Sequence, residues 1–425
     1  LKRVEKHIIK SNHEWFEYCD TVTNNSRCLF NSAQFVQRQG FFYGHGTQSQ
    51  SKLDKMFQQH EAYKAMPSKV SQLVLKQSAD SWVAYFTALK AYAKDSSKFT
   101  GKPKPPGYAL NRNLVKFNNQ AVGKREFGKG LIVPSMSSIQ LPVKPGRKFS
   151  DLCEVRIVPK TACFVIEVVY DFPSTLVSNI SGLAAAIDIG LDNLATIVFS
   201  DGKTQPIIVN GKPLKSANQF YNKQIARFKG ELPQQVYTSR RIENIIRNRN
   251  QFVESYLHQS SRLVVNQLLA AGVTEVAIGK NEQWKTKINL GKRTNQKFVQ
   301  VPHARFIEML TYKLEAVGIR VVVGEESYTS RASFLDWDNI PTYTPSSNEK
   351  HTFSGKRVTR SWYVSNDGYR IGADVNGAYN IGKKVIPTAF DALKSIVQRD
   401  RGCLVVHPRR LTPMFERVRA TIGVA

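Results

Sequence analysis

The chain has 425 residues and carries 61 Lys+Arg against 33 Asp+Glu, a formal net charge of +28. That length exceeds one ordinary compact domain and points to two or three units, with enough apolar residues (41%) to bury a sizeable core. A charge excess of this size repels itself unless a polyanion neutralises it, so nucleic acid is the first partner class, ahead of a membrane surface or a merely soluble basic face.

The basic residues recur from Lys2 to Arg419 and alternate with Tyr, Phe and Trp, the pattern of a folded nucleic-acid channel rather than of a basic arm. The five cysteines, Cys19, Cys28, Cys153, Cys163 and Cys403, form no CxxC pair. The expectation is a reduced, intracellular protein with neither disulfide framework nor cysteine zinc site. No apolar run reaches membrane-spanning length and no signal-peptide pattern opens the chain, although the first residue is Leu1 rather than Met.

The first hundred residues are polar with helical stretches. The clearest begins at Pro67, where Val70, Leu73, Val74, Trp82, Phe86 and Leu89 recur at helical spacing. The segment KFTGKPKPPGYALNRN then marks a loop by its Pro and Gly residues. From about Leu114 to Phe172, LIVPSMSSIQLPV, CEVRIVPK and CFVIEVVYDF predict strands of a small β-barrel-like unit. Beyond Pro173, LAAAIDIGLDNLATIVFSDGKTQPIIVNG predicts three successive strands, the first continuously apolar and therefore central, with Asp201-Gly202 as a hairpin turn. A long helix follows from about Thr238 to Ala271, with Arg240, Arg241, Arg247 and Arg249 at its start. Next come strand VTEVAIG, a basic loop containing Trp284, Lys285 and Phe298, helix PHARFIEMLTYKLEAVG and strand IRVVVGE. GYRIGADVNGAYNIGKKV closes the series as a short strand entering a helix.

Three acidic positions carry the chemistry. Asp188 ends an apolar strand, Glu325 and Glu326 end another, and Asp374 stands at a helix start. A carboxylate at an apolar strand end is costly to bury unless a cation or a hydrogen-bond donor meets it. Carboxylate oxygens are what Mg²⁺ takes, and two such ions roughly 4 Å apart stabilise both the attacking water and the leaving oxygen of phosphodiester hydrolysis. Taken singly, each acid has a plainer explanation: Asp188 capping a turn with Asn193, Asp374 capping its helix, Glu325 or Glu326 pairing with a lysine. Together, in a strongly basic chain of alternating strands and helices, they favour a metal site.

AIDIGLDNLATI resembles the first RuvC motif of TnpB proteins and ADVNGAYNI the third, each with a catalytic Asp; EESYTSRASFLD resembles the YTS segment of the same family. Compact type V CRISPR effectors share this architecture. The resemblance implies an α/β fold plus β-barrel: an RNase H-like (RuvC) nuclease domain with an N-terminal wedge-type β-barrel and a helical recognition insert. The implied boundaries are 1–20 and 100–180 for the wedge-like barrel and 21–99 for the helical insert. The nuclease would occupy 181–328 and 367–390, a zinc-free nucleic-acid-binding insert 329–366, and a C-terminal tail 391–425. It further implies an RNA-guided DNA endonuclease encoded by a transposon, using two Mg²⁺ (or Mn²⁺) ions. The implied partners are a guide RNA derived from a transposon end and double-stranded target DNA with a short flanking motif, with no membrane partner.

Two departures from that family stand out. Gly279 stands where the second-motif Glu is usual, so the carboxylate would come from Glu326, three positions before Thr329, as in some relatives and in Fanzor proteins. Strand alternation puts Glu325 and Glu326 on opposite faces; Glu326 is the first choice, Glu325 the alternative and Glu282 the third. The two CxxC pairs of typical members are also missing, so no zinc is expected and a lone His351 is no substitute for them. The expected catalytic and metal-binding set is Asp188, Glu326 and Asp374. The expected nucleic-acid contacts are Arg240, Arg241, Arg247, Trp284, Lys285, Lys356, Arg357 and Arg360. The alternatives are a nuclease-inactive RNA-guided DNA-binding protein of repressor type and, less favoured because the acids run Asp, Glu, Asp, a DDE-type transposase.

Overall fold

The computed structural model describes residues 2–172, 182–280, 301–342, 351–399 and 403–413. The chain divides into two compact units, Leu1–Pro173 and Ser174–Ala425. No described helix is long and apolar enough to cross a membrane.

The first unit opens with strand β1 (Lys2–Lys10) and continues into helices α1 (Phe16–Phe42), α2 (Gln50–Phe57), α3 (Glu61–Lys64) and α4 (Ser68–Lys94). Strand β2 (Val115–Asn118), helix α5 (Lys124–Gly128), the short strands β3 (Leu131–Ile132) and β4 (Leu141–Pro142), and the long hairpin β5 (Leu152–Lys160) and β6 (Cys163–Asp171) complete it. The sheet is antiparallel in the order β1-β6-β5-β2. The expected β-barrel is therefore corrected: among the described residues this is an open four-stranded sheet, with β3 and β4 paired only to each other. Its apolar face is covered instead of curled: α1 lies against β2, β5 and β6 and α4 against β2, so Ile9, Phe117, Ile157 and Ile166 share one core with Leu29 and Val74. Helix α1 also starts at Phe16, inside the stretch expected to belong to the barrel. On α4 the buried face runs Val70, Ser71, Val74, Leu75, Ser78 and Trp82, with the expected Leu73, Phe86 and Leu89 only half-buried. The Trp82 indole donates to Gln34 Oε1 at 2.8 Å, a buried link between α4 and α1.

The second unit begins with β7 (Leu183–Asp188), β8 (Asn193–Phe199) and β9 (Ile207–Asn210), then α6 (Lys212–Gly230) and α7 (Arg240–Ala270). After β10 (Val273–Gly279), α8 (His303–Glu315) and β11 (Arg320–Gly324) come the small strands β12 (Lys356–Arg357), β13 (Trp362–Val364) and β14 (Arg370–Gly372). Helices α9 (Ala373–Val385), α10 (Pro387–Phe390) and α11 (Ala392–Arg399) lead to a last strand, β15 (Arg409–Leu411). The main sheet has the order β11-β10-β7-β8-β9-β15. β7, β8 and β9 form an antiparallel meander; β10 and β11 add on the other side, parallel to β7.

Strand β7 is buried on both faces, which its unbroken apolar run requires. Ala185 and Ile187 point into the core under α7 and α8, while Ala184 and Ala186 point into the core under α9. Small residues let α9 lie close. A Cβ at Gly279 would stand 2.6 Å from Ile381 Cδ1, and one at Gly324 would stand 2.7 Å from Val385 Cγ1. Those two glycines are partners at the ends of β10 and β11, so the sheet is deliberately thin under the helix.

Candidate active site

The three acids arrive from three elements at one end of this sheet. Asp188 is the last residue of β7, opposite Thr196 of β8. Glu326 lies two residues past β11, and Asp374 sits in the first turn of α9, where a negative charge suits the helix dipole.

Glu326 is aimed by a relay of hydrogen bonds. Thr329 donates to the Glu326 carbonyl through both its backbone N–H (3.2 Å) and its hydroxyl (2.8 Å). The fully buried Asn380 amide of α9 in turn donates to the Thr329 carbonyl at 2.9 Å and the Ala332 carbonyl at 2.7 Å. Asn376, one turn earlier, donates to the same Ala332 carbonyl at 2.8 Å and accepts from the Phe334 N–H at 2.9 Å. The two asparagines of VNGAYN thus lock the TS turn onto α9. Sequence reasoning assigned them no role; their spacing of four on one helix face is the signal that was there.

The Glu326 carboxylate then occupies the space that a side chain at position 279 would need. A Cβ there would lie 2.5 Å from Glu326 Oε2. Gly377 serves Asp188 in the same way, since a Cβ at 377 would lie 3.0 Å from Asp188 Oδ2. Burial, then the charges of Glu326 and Asp374, push the Asp188 carboxyl well above its usual range, against the opposing Arg357 and the Ile189 N–H. Glu326 is pushed up to about 7 by burial and then by Glu325, with Lys384 opposing. Buried carboxylates with like charges nearby are raised in this way.

Glu325 is turned elsewhere. It accepts from the Lys384 ammonium of α9 and from the Ser327 N–H at 2.7 Å. Burial raises its carboxyl, and these donors outweigh burial and hold it below the usual carboxylate range. The structure therefore brings Glu326, and not Glu325, to Asp188. Glu282, the third choice, lies outside the described residues.

Asp374 is held from two sides. Asn193 Nδ2 donates to its Oδ2 at 2.6 Å, and the Arg357 guanidinium stands 3.7 Å from its Oδ1. The expected partner of Asn193 was Asp188; the bond goes to Asp374 instead. Held this way, no three acidic, histidine or cysteine side chains among the described residues stand close enough to enclose a metal ion.

Of the expected nucleic-acid contacts, Lys356, Arg357 and Arg360 lie on and beside β12, and Arg357 brings this insert directly to the acids. Arg360 pairs with Asp192 at 2.8 Å. The insert is closed by the Asp338 carboxylate, which accepts from the Ser333 N–H (2.8 Å), the Ser354 N–H (3.1 Å) and the Ser354 hydroxyl (2.6 Å). His351 is stacked edge-on against Tyr328, with ring centroids 4.9 Å apart. Arg240, Arg241 and Arg247 lie at the start of α7; the first two are exposed, and Arg241 rests on the Phe228 ring at 4.9 Å. They are not brought to the acids. Trp284 and Lys285 lie outside the described residues.

Comparison with known proteins gives two family matches. Residues 167–285 match OrfB_IS605, described as a probable transposase, and residues 303–381 match the Cas12f1-like TNB domain. Asp188 falls in the first match, Glu326 and Asp374 in the second. No curated protein matches. Among solved structures, a Cas12f1–sgRNA–target DNA complex aligns at 12% identity and TM-score 0.35, covering 90% of this chain and 98% of that one. A CRISPR-Cas12f ternary complex aligns at 11% and 0.34, covering 86% and 80%. An AacC2c1–sgRNA–extended non-target DNA complex aligns at 9% and 0.41, covering 88% and 67%.

Proposed function

We propose that the chain, which belongs to the TnpB-like family, is an RNA-guided DNA endonuclease with its cutting site at Asp188, Glu326 and Asp374. The observation that carries this reading is the Glu326 carboxylate seated over Gly279 beside Asp188. A meander of three antiparallel strands with two parallel strands beyond the first supports an RNase H-like reading, and the strand between the two sets ends in Asp188. A dead site would have no use for two crowded carboxylates whose ionisation costs free energy.

The donor chemistry fits Mg²⁺, a hard cation that takes oxygen ligands; Asp188 and Glu326 would hold it, and Asp374 would join them only on leaving Asn193 and Arg357. When bound, such ions supply an activated water and charge stabilisation at the scissile phosphate. The chain's own residues supply the rest. The Thr329–Asn380 relay fixes Glu326, and Gly279 and Gly377 leave room for the carboxylates. Lys356 and Arg357 present positive charge where a DNA backbone would approach. Sequence would be read by pairing of a guide RNA with one DNA strand, the protein reading only a short flanking motif. The guide would come from a transposon end.

A second reading has one observation in its favour. Asp374 is tied to Asn193 and Arg357 rather than turned to its companions, as in a protein that binds DNA under RNA guidance without cutting it. One experiment separates the two. The protein is purified with its co-purifying RNA, that RNA is sequenced, and matching duplex DNA is supplied with Mg²⁺. Cleavage lost in Asp188→Ala supports the nuclease. Guide-dependent binding without cleavage in the parent supports the second reading. Strand transfer of a transposon end would displace both in favour of a transposase.

A further inference from the structure

Beyond α11 the sequence offers no periodic pattern, yet the chain is firmly anchored there. The Val405 N–H donates to the Gly202 carbonyl and the Arg409 N–H to the Pro206 carbonyl, each at 2.9 Å. β15 then pairs parallel with β9, Arg409 to Ile207, Arg410 to Ile208 and Leu411 to Val209. Leu404 is buried in the core beneath α9, and a Cβ at Gly202 would stand 2.9 Å from Leu404 Cδ1. Asn210 Nδ2 donates to Thr412 Oγ1 at 3.1 Å, fixing the far end.

This returning segment makes one wall of a cleft of about 550 Å³ that opens beside Asp374. His407 and Arg410 face it from the tail, Lys212 from the first turn of α6, and Arg357, Arg360 and Trp362 from the insert. Lys212, His407 and Arg410 are exposed. Asp192 and Asp374 are the acids lining the cleft; Asp192 is already matched by Arg360 at 2.8 Å and Lys215 at 2.7 Å. Lys212 and Arg410 have no acid among the described ion pairs. Two exposed cations without a direct ion pair, of which Lys212 acts only at longer range on Asp192, line one cleft with Asp374 and the Trp362 ring, and that set matches the chemistry of a nucleic-acid strand: phosphate on the cations, base on the ring.

We propose that this cleft is a phosphodiester-binding subsite for a single nucleic-acid strand, with Lys212 and Arg410 as positioning residues that carry the strand past Asp374. The C-terminal segment thereby completes the site rather than trailing from it. The proposal rests on the nuclease reading only for the purpose the strand serves; binding itself is independent of cutting.

The test uses the full-length protein and two fluorescent twelve-nucleotide probes of one sequence, DNA and RNA, followed by anisotropy across a salt series. Each phosphate contact contributes about 0.7 to the slope of log affinity against log salt on a single strand. Lys212→Gln with Arg410→Gln should lower that slope by about 1.4 and weaken low-salt binding by roughly tenfold or more. Arg410→Lys should keep the slope, and Arg262→Gln, an exposed charge on α7 outside the cleft, should leave low-salt affinity near that of the parent. Loss on the DNA probe assigns the cleft to the DNA strand, and loss confined to RNA assigns it to the guide. An unchanged slope on both probes overturns the proposal. Asp188→Ala separates this from the nuclease reading, since it should abolish cleavage while leaving the slope and its dependence on Arg410 intact.

Discussion

Gly279→Ala is the sharpest single perturbation of the candidate site. The added Cβ would sit 2.5 Å from Glu326 Oε2 and 2.6 Å from Ile381 Cδ1, where ordinary contacts need about 3.4 Å or more. Both neighbours must retreat by nearly 1 Å, and Ile381 is fully buried, so it has nowhere free to go. Overpacking of that kind costs about 1–3 kcal/mol. For a unit of this size each kcal/mol lowers Tm by roughly 2–4 °C, so the expected fall is roughly 2–12 °C. The Glu326 carboxylate must move as well, and a 1 Å misplacement costs up to roughly 10²-fold in rate. Gly382→Ala is the comparison: its Cβ would meet the Phe390 ring at 2.6 Å, away from the carboxylates, so it should lower Tm while sparing turnover at temperatures where the protein is folded. The assay is thermal unfolding beside guide-dependent cleavage. Gly279→Ala protein with parental Tm and parental cleavage would refute the reasoning that this glycine makes room for the acid.

Three further outcomes are expected. Thr329→Val keeps the shape of the TS turn but removes the hydroxyl donor to the Glu326 carbonyl, so cleavage should fall about tenfold and unfolding free energy by roughly 1 kcal/mol. Asp338→Ala removes the carboxylate that bridges Ser333 and Ser354, and amide hydrogen exchange at both should quicken, by roughly 1–3 kcal/mol of lost protection. Lys313 is buried on α8, donating to the His258 carbonyl, and burial, with Arg262, lowers its ammonium to about 8. Below pH 8 both the folded and unfolded chains hold this proton and the burial penalty is complete. Between about pH 8 and 10.5 the folded chain releases it first, so this group makes stability rise with pH across that window. Chemical unfolding of Lys313→Met should lose that rise; a parallel pH profile in parent and variant would contradict it.

The strands of the second unit were readable because their apolar runs and the acids ending them obey one rule: a buried strand is apolar until it leaves the core. Asp188 was singled out that way, Asp374 by its place at the start of a helix of small residues, and α7 by its period. The first unit shows the limit of such reading. Alternation in β5 and β6 reveals a half-buried sheet, but an apolar face looks the same whether another strand or α1 and α4 cover it, so an open sheet was read as a barrel. The same limit hid the tail, because Arg409-Arg410-Leu411 is too short and too polar to announce a strand; β9 supplies its partner edge. Gly279 was noticed as an absence, and only three dimensions show that the absence is room for Glu326. Asn193 was visible as a polar residue near Asp188, but which acid it serves depends on how α9 returns to β8.

The relocated glutamate is the centre of the account, and a paired substitution tests it directly. Glu326→Gln and Glu325→Gln, each purified with its RNA, are compared with the parent for Mg²⁺-dependent cleavage of matched DNA. Loss of several kcal/mol of charge stabilisation predicts a fall of roughly 10³-fold in Glu326→Gln, with binding of the target retained. Glu325→Gln, which weakens the Lys384 ion pair and the Ser327 contact and removes a charge that raises Glu326, should keep cleavage within about tenfold of the parent. Full cleavage by Glu326→Gln, or loss confined to Glu325→Gln, would contradict the assignment.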